Sequence, residues 1–159
     1  LIGDEPFAVV LADDLCDCDE NGVISQLIEI YTKYHCSVVA IEEVPMNQIH
    51  KYGIITGNPI DNSNNIFQVT DMVEKPSAKS AQSNMAIIGR YILTPDIFKI
   101  LKKIKPDKNG EIQITSALLV QARQSQVIAY KFKGKRFDCG NVKGYLKATN
   151  YFANKLGIV

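Results

Sequence analysis

The tripeptide Glu74-Lys75-Pro76 places a carboxylate next to an ammonium group, at the end of the apolar-flanked run 69–73. A carboxylate accepts hydrogen bonds from hydroxyl groups, whereas the ammonium group of lysine is a point charge that suits phosphate. Because proline fixes its own φ and biases the preceding residue toward extended geometry, we expect Lys75 to be extended, at a strand end. Such a pair could bind a phosphorylated sugar, although a solvated strand end before a turn also explains it.

Asp13 is a candidate metal ligand because it closely follows the apolar run 7–11, which is typical of a strand buried on both faces. Ligands of open α/β sheets collect at the carboxyl ends of strands, and a carboxylate there could bind Mg²⁺. A cap on the following turn explains Asp13 equally well. We expect the neighbouring Asp14 and Asp17 to be solvated.

Asp138 supplies a second carboxylate, just before the last predicted helix. A helix cap at Asp138 or Asn141, with Gly140 in a tight turn, is one interpretation. The other is that Asp13 and Asp138 share one ion, since Mg²⁺ that bridges phosphates usually takes one or two protein carboxylates. Both interpretations stay open from the sequence.

Two glycines and a basic cluster are further candidates for ligand contact. Gly53 begins an extended segment and Gly89 lies within another, and a missing Cβ permits close approach of the backbone to a ligand. A β-bulge is the structural alternative at both positions. The basic cluster 131–136 could attract phosphate or form a solvated hairpin.

The elements that must position these residues follow from hydrophobic spacing. A strand is expected over 6–12, apolar side chains recur at helical spacing over 23–34, and 37–41 is a second buried apolar run. Strand, helix and strand in this order predict a right-handed parallel crossover. Further strands are expected over 52–56, 66–73, 84–93 and 127–132.

Three more helices are predicted, over 95–103, from 111 or 112 to 124, and over 142–156. Pro95 opens the first of them, with Thr94 as its N-cap. The last helix is expected to bury an apolar face that consists of Val142, Tyr145, Leu146, Thr149 and Phe152. No internal repeat and no interdomain linker is present in the sequence, so we expect one α/β unit.

Composition argues against several classes of function. The chain has 159 residues, of which 46% are hydrophobic and 22% charged, and a formal net charge of +1. This balance gives no indication of a nucleic-acid or membrane surface. No apolar run approaches the length of a membrane span and the start lacks the order of a signal peptide, so we expect a cytoplasmic protein. The four cysteines are expected to be free buried thiols and not zinc ligands.

Six segments, taken together and in order, resemble the bacterial UTP-glucose-1-phosphate uridylyltransferases, also called UDP-glucose pyrophosphorylases. They are residues 7–13, 52–53, 73–76, 83–91, 111–115, and 133–135 with 137–141. Each motif alone is modest, but six in this order are specific, and the match extends over essentially the whole chain. The Glu-Lys-Pro element is shared with the wider nucleotidyltransferase family, whereas the Asp-Cys-Gly-Asn sequence is particularly similar to the uridylyltransferase branch.

The resemblance implies a fold, a reaction and a set of site residues. The fold is a three-layer, Rossmann-like mixed α/β sheet, and the reaction converts UTP and glucose 1-phosphate to UDP-glucose and pyrophosphate with Mg²⁺. By this resemblance, Lys75, Asp13 and Asp138 would be catalytic. Glu74 would bind the sugar hydroxyls and Lys75 the sugar phosphate. Gly53 would present its backbone to the glucose, and Gly89 would line the sugar pocket. Asp13 and Asp138 would bind Mg²⁺. Glu111 would be a supporting residue, and the intact protein would be a homo-oligomer.

The chain departs from the family pattern in two places. Ala12 stands where family members usually have proline before the metal aspartate, which should relax the strand end without removing the ligand. The family's N-terminal glycine-rich loop, which cradles the triphosphate and recognises the base, has no counterpart in these residues. We therefore expect residues 1–159 to be a partial nucleotidyltransferase domain, inactive or nearly so on its own.

Three alternative functions stay open from the sequence. One is a nucleotidyltransferase that uses another base or sugar, such as a thymidylyl or adenylyl enzyme. A second is a metal-dependent glycosyltransferase, because Asp17-Cys18-Asp19 matches the short Asp-x-Asp motif. The third is a non-enzymatic module that binds sugar phosphates.

Overall fold

The structure, a computed structural model, describes residues 2–19, 21–60 and 62–158, which form both helices and strands. The α-helices are α1 (Val23–Tyr34), α2 (Ile97–Leu101), α3 (Ile114–Ala122) and α4 (Val142–Lys155), and a 3₁₀-helix spans Met46–Lys51. The strands are β1 (Phe7–Val10), β2 (Asp14–Asp17), β3 (Ser37–Glu43), β4 (Gly53–Pro59), β5 (Ile66–Glu74), β6 (Met85–Leu93), β7 (Val127–Lys131) and β8 (Lys135–Asp138).

The central sheet has six strands in the order β1-β6-β3-β7-β5-β4. Strands β3 and β7 run parallel, and the other pairs run antiparallel. A short pairing of β4 with β6, at Ile54 with Ala86 and at Ile55 with Met85, links the edge strand β4 back to β6. Strands β2 and β8 form a separate two-stranded sheet. The predicted mixed α/β fold is confirmed.

Strand β3 is buried on both faces because helices cover both sides of the sheet. Val39 belongs to an apolar cluster that contains Leu118 of α3. The alternate residues Val38 and Ala40 belong to a second cluster, which contains Leu27 of α1. Successive side chains of a strand point to opposite faces, so this alternation places one helical layer on each side of the sheet.

The first strand is not buried as the apolar run predicts. Strand β1 is the edge of the six-stranded sheet, where it pairs with β6, and Val10 is 55% exposed. An apolar run is compatible with burial, but burial itself depends on which elements cover the strand. Strands β1 and β3 both run antiparallel to β6 and so share a direction. Because β6 lies between them, the predicted crossover does not join neighbouring strands.

Hydrophobic spacing predicts α1 with its observed bounds, but α2 is shorter than expected. It begins at Ile97, and no side chain caps its N-terminus. The predicted cap, Thr94, instead shares a hydrogen bond with the hydroxyl of Ser37 and accepts one from the amide of Gln121. The hydroxyl of Thr94 is therefore engaged between β3 and α3.

Helix α4 packs through a face that shares only Phe152 with the predicted one. Val142, Tyr145 and Leu146 are 77%, 59% and 54% exposed, and Thr149 is also exposed. The packed stripe is instead Ala148, which is buried, with Tyr151 and Phe152, whose rings contact Phe137 of β8. The helix carries two apolar stripes, and only the position of β8 decides which of them is covered.

Two short strands were not predicted. The four residues of β2 pair antiparallel with the four residues of β8, so the basic cluster 131–136 is not a solvated hairpin. Both strands are short and polar, and a strand of four residues offers too few positions for an alternating pattern. Among the described residues, no helix combines the length and apolar character needed to cross a membrane.

Candidate functional site

The pairing of β2 with β8 brings Asp13 next to Asp138. The backbone N–H of Cys139 donates to the carbonyl oxygen of Asp13 at 2.6 Å. Asp13 Oδ2 and Asp138 Oδ1 each lie 3.2 Å from the position that a Cβ on Gly140 would occupy. The two carboxylates therefore face the same small space, which glycine leaves open.

This pair of carboxylates could hold a divalent metal ion. Asp138 Oδ1 already accepts a hydrogen bond of 3.0 Å from the backbone N–H of Gly140, which orients it, and Asp13 is exposed. Among the described residues there is no group of three or more histidine, cysteine, aspartate or glutamate side chains suited to a metal. Two hard oxygen ligands with an open side suit Mg²⁺, which keeps water or phosphate oxygens at its other positions.

Gly53 and Glu74 face each other across the β4–β5 pair. The hydroxyl of Thr115 donates to Glu74 Oε2 at 3.0 Å. A Cβ on Gly53 would lie 2.6 Å from Thr115 Cγ2 and 3.1 Å from Glu74 Oε2. The glycine therefore leaves room for the hydrogen bond between Thr115 and Glu74, which holds one carboxylate oxygen in place.

Lys75 follows the end of β5 and has an unusual backbone conformation. Its φ is +45°, in the left-handed region, although the residue before a proline favours extended geometry. Lys75 thus lies at a strand end, as predicted, but its backbone is not extended. Its backbone N–H donates to the carbonyl oxygen of Tyr52 at 2.9 Å, which holds this turn against the residue before Gly53. The side chain of Lys75 is 57% exposed, and its Nζ lies 3.8 Å from Glu74 Oε1.

Asp14 is buried, contrary to the expectation that it is solvated. Its Oδ1 accepts from Arg136 Nε at 2.5 Å, and its Oδ2 accepts from the backbone N–H of Gly89 at 2.8 Å. The side chains of both ionic partners are less than a tenth exposed. Burial by itself would lower the pKa of Arg136, but hydrogen bonds to Asp14 and to Tyr52 raise it above its ordinary value. The ion pair joins β2 to β8, and the hydrogen bond from Gly89 connects Asp14 to β6.

The family model described as nucleotidyl transferase matches residues 1–155. The chain belongs to the nucleotidyl transferase family. It is 58% identical, over 95% of its length, to a UTP-glucose-1-phosphate uridylyltransferase of Pseudomonas aeruginosa, and this match covers 54% of the relative.

Two solved structures of the nucleotidyl transferase family show the same fold. One is a UDP-glucose pyrophosphorylase complexed with UDP-glucose, with a TM-score of 0.91, 54% identity, and coverage of 97% of this chain and 58% of the other. The second is a UTP-bound enzyme from Acinetobacter baumannii, with a TM-score of 0.82, 32% identity, and coverage of 97% and 53%. The chain thus spans a little over half the length of the relatives that it matches.

Gly89 and Glu111 are the two remaining residues that the sequence predicts for the site. Gly89 is buried in β6, and a Cβ there would lie 2.6 Å from Leu11 Cβ and 2.8 Å from Asp14 Oδ2. Both neighbours, Leu11 and Asp14, are close to Asp13 in the sequence. Glu111 is exposed and accepts a hydrogen bond from Gln113. Its supporting role stays a prediction.

The Asp-x-Asp motif does not form a metal site in this fold. Asp17 is the last residue of β2, and its Oδ2 accepts from the hydroxyl of Tyr151 at 2.7 Å and from Lys155 at 2.5 Å. These hydrogen bonds, from Lys155 first and then Tyr151, lower the pKa of Asp17. The side chain of Asp19, in contrast, is 98% exposed. Asp17 therefore connects β2 to α4, and the expectation that it is solvated is wrong.

The four cysteines are free thiols, as predicted, but of the four only Cys36 is buried; Cys16, Cys18 and Cys139 are half-buried. Cys36 is buried, and burial raises the pKa of its thiol to about 11. Cys16 and Cys18 pack against the apolar cluster that contains Leu27 of α1. These three thiols act as small apolar side chains.

Sequence reasoning missed Gly144 of α4. A Cβ at this position would overlap the backbone carbonyl oxygen of Asp138. The side chain of Asn141 caps α4 by accepting from the N–H of Gly144 at 2.9 Å. The interpretation of Asn141 as helix cap is thus confirmed, and the carboxylate of Asp138 is left to face Asp13.

Proposed function

We propose that this chain forms the sugar-phosphate and metal-binding part of a UTP-glucose-1-phosphate uridylyltransferase. The observation that carries the proposal is the arrangement of Asp13 and Asp138, whose carboxylates share one open space although the residues are far apart in sequence. The 58% identity to a named uridylyltransferase supports the choice of reaction. In the proposed reaction, UTP and glucose 1-phosphate give UDP-glucose and pyrophosphate.

The chemistry requires alignment of two anions. A phosphate oxygen of glucose 1-phosphate forms a bond to the α-phosphorus of UTP, and the bond from that phosphorus to pyrophosphate breaks on the opposite side. The protein has to reduce charge repulsion and hold the two groups in line, which needs no covalent nucleophile. The exposed ammonium group of Lys75 is suited to the sugar phosphate.

Glu74 is suited to the sugar hydroxyls. Thr115 occupies its Oε2, which leaves Oε1 available as an acceptor on the side of Lys75. An ionised carboxylate only accepts hydrogen bonds, so it favours a ligand rich in hydroxyl groups. Gly53 contributes by leaving space beside Glu74, and we propose that its backbone also faces the glucose.

Asp13 and Asp138 would hold Mg²⁺, which supplies positive charge to the phosphate oxygens. Gly140 leaves space beside them, because a Cβ there would lie 3.2 Å from an oxygen of each carboxylate. We propose Gly89 as an indirect contributor to the pocket, because its N–H fixes Asp14 next to Asp13.

The alternative functions lack comparable support. Asp17 is bound by Tyr151 and Lys155, which argues against the glycosyltransferase. The relatives named above are uridylyltransferases, which favours UTP over other nucleotides and an enzyme over a binding module. A homo-oligomeric state, a cytoplasmic location and inactivity of residues 1–159 alone stay predictions.

The role of Lys75 can be tested in the intact protein that carries this chain. Lys75→Ala should lower kcat/KM for glucose 1-phosphate by about 10²- to 10³-fold, the size of loss typical for one electrostatic contact to a transition state. Release of pyrophosphate from UTP measures the rate, and dTTP and ATP in place of UTP test base choice. Lys79→Ala is the matched control, because Lys79 is an exposed lysine in the following loop. Equal rates for both variants would contradict the proposed role.

A further inference from the structure

We propose that Tyr52 is a positioning residue that sets the carboxylate of Asp138 for cation binding and ties it to the Lys75 turn. The inference rests on the proposed function. The hydroxyl of Tyr52 donates to Asp138 Oδ2 at 3.4 Å, whereas its backbone oxygen accepts from the N–H of Lys75 at 2.9 Å. One residue therefore contacts both groups of the proposed site.

The hydroxyl of Tyr52 has a defined orientation because of its two partners. Arg136 Nη1 lies 3.4 Å from the hydroxyl oxygen on one side, and Asp138 Oδ2 lies on the other. A guanidinium group only donates hydrogen bonds and an ionised carboxylate only accepts them. The hydroxyl must therefore accept from Arg136 and donate to Asp138. Hydrogen bonds in such a chain polarise and strengthen one another.

Arg136 is rigidly held and can therefore fix the tyrosine ring. Its side chain is 7% exposed and is bound by Asp14 at 2.5 Å and by Glu42 at 3.3 Å. Its Cζ lies 5.1 Å from the centre of the Tyr52 ring, within the range of a cation–π interaction. The ring thus has contacts on its face and at its hydroxyl, and the two contacts involve the same guanidinium.

The two oxygens of Asp138 have different partners. Oδ1 accepts from the N–H of Gly140 and faces the space shared with Asp13, whereas Oδ2 accepts from Tyr52. Loss of the bond to Oδ2 would free the carboxylate to rotate away from Asp13. Residues that orient a metal ligand typically contribute 10- to 100-fold to metal affinity, and we expect Tyr52 to lie in this range.

The test is Mn²⁺ binding by the intact protein, measured from the electron paramagnetic resonance signal of free Mn²⁺. Tyr52→Phe keeps the ring and removes only the hydroxyl. It should weaken Mn²⁺ binding about 10- to 100-fold, with little change in KM for glucose 1-phosphate. At saturating Mn²⁺ its kcat should return close to that of the wild type. A purely structural role would not be rescued by metal.

Two further variants separate the possible failures. Tyr145→Phe, at an exposed tyrosine of α4, should bind Mn²⁺ like the wild type. Asp138→Asn should lose this binding. If Asp138→Asn loses Mn²⁺ and Tyr52→Phe retains it, the role of Tyr52 is wrong and the proposed function stands. If Asp138→Asn retains Mn²⁺, the proposed metal site itself is wrong, and the role of Tyr52 fails with it.

Discussion

At the scale of single residues, Lys75 has the conformation that sequence reasoning predicted least well. A left-handed backbone costs a residue with a Cβ roughly 1–2 kcal/mol. Such conformations persist where the surroundings impose them, and they cluster at functional sites. Here the N–H of Lys75 is held by Tyr52, and Pro76 fixes the next φ. The proline rule describes a local preference, and the tertiary hydrogen bond overrides it.

This strain predicts a difference between two variants that both remove the ammonium group. Lys75→Gly should be more stable than Lys75→Ala by about 0.5–1 kcal/mol, because glycine tolerates φ of +45° and only part of the gain is offset by entropy of the unfolded chain. Both variants should be poorly active. Urea unfolding of the two proteins measures the difference. An alanine variant that is as stable as the glycine variant would show that the turn is not strained.

At the scale of elements, the sequence predicted the long, periodic segments and missed the short, polar ones. Helix α1 and the buried strand β3 have regular spacing and were predicted close to their bounds. Strands β2 and β8 have four residues each, so no period distinguishes them from loops. These unpredicted strands bring Asp13 and Asp138 together. Residue types and motifs were therefore enough to select the candidate residues, but the sequence did not predict how these residues are arranged in space.

The contact of α4 with β8 depends on Gly144, which gives a prediction at this scale. Gly144→Ala would place a methyl group on the carbonyl oxygen of Asp138, so helix and strand must move apart. We expect a loss of about 1–3 kcal/mol in the free energy of unfolding, the usual cost of overpacking. Thermal and urea unfolding measure it.

A matched control separates this clash from a general effect of alanine in α4. Lys147→Ala changes an exposed residue of the same helix and should alter stability by no more than about 0.5 kcal/mol. A Gly144→Ala protein as stable as this control would mean that α4 adjusts without strain.

At the scale of the whole molecule, the proposed site combines residues from the small two-stranded sheet with residues from the central six-stranded sheet. Asp138 ends β8 of the small β2–β8 sheet and Asp13 directly precedes β2, whereas Gly53 and Glu74 lie on the neighbouring strands β4 and β5 of the central sheet. Tyr52 contacts both parts, because its hydroxyl bonds to Asp138 and Arg136 and its backbone oxygen accepts from the N–H of Lys75. The proposed function therefore requires that the sugar phosphate and the metal ion bind in one shared site.

The distance between metal and sugar phosphate tests this requirement most directly. In the intact protein, Mn²⁺ bound at Asp13 and Asp138 should strongly broaden the ³¹P resonance of bound glucose 1-phosphate, and Asp138→Asn should abolish the broadening while the sugar phosphate still binds. If the ³¹P resonance of bound glucose 1-phosphate stays narrow with Mn²⁺, or is broadened equally in Asp138→Asn, the two groups do not form one site.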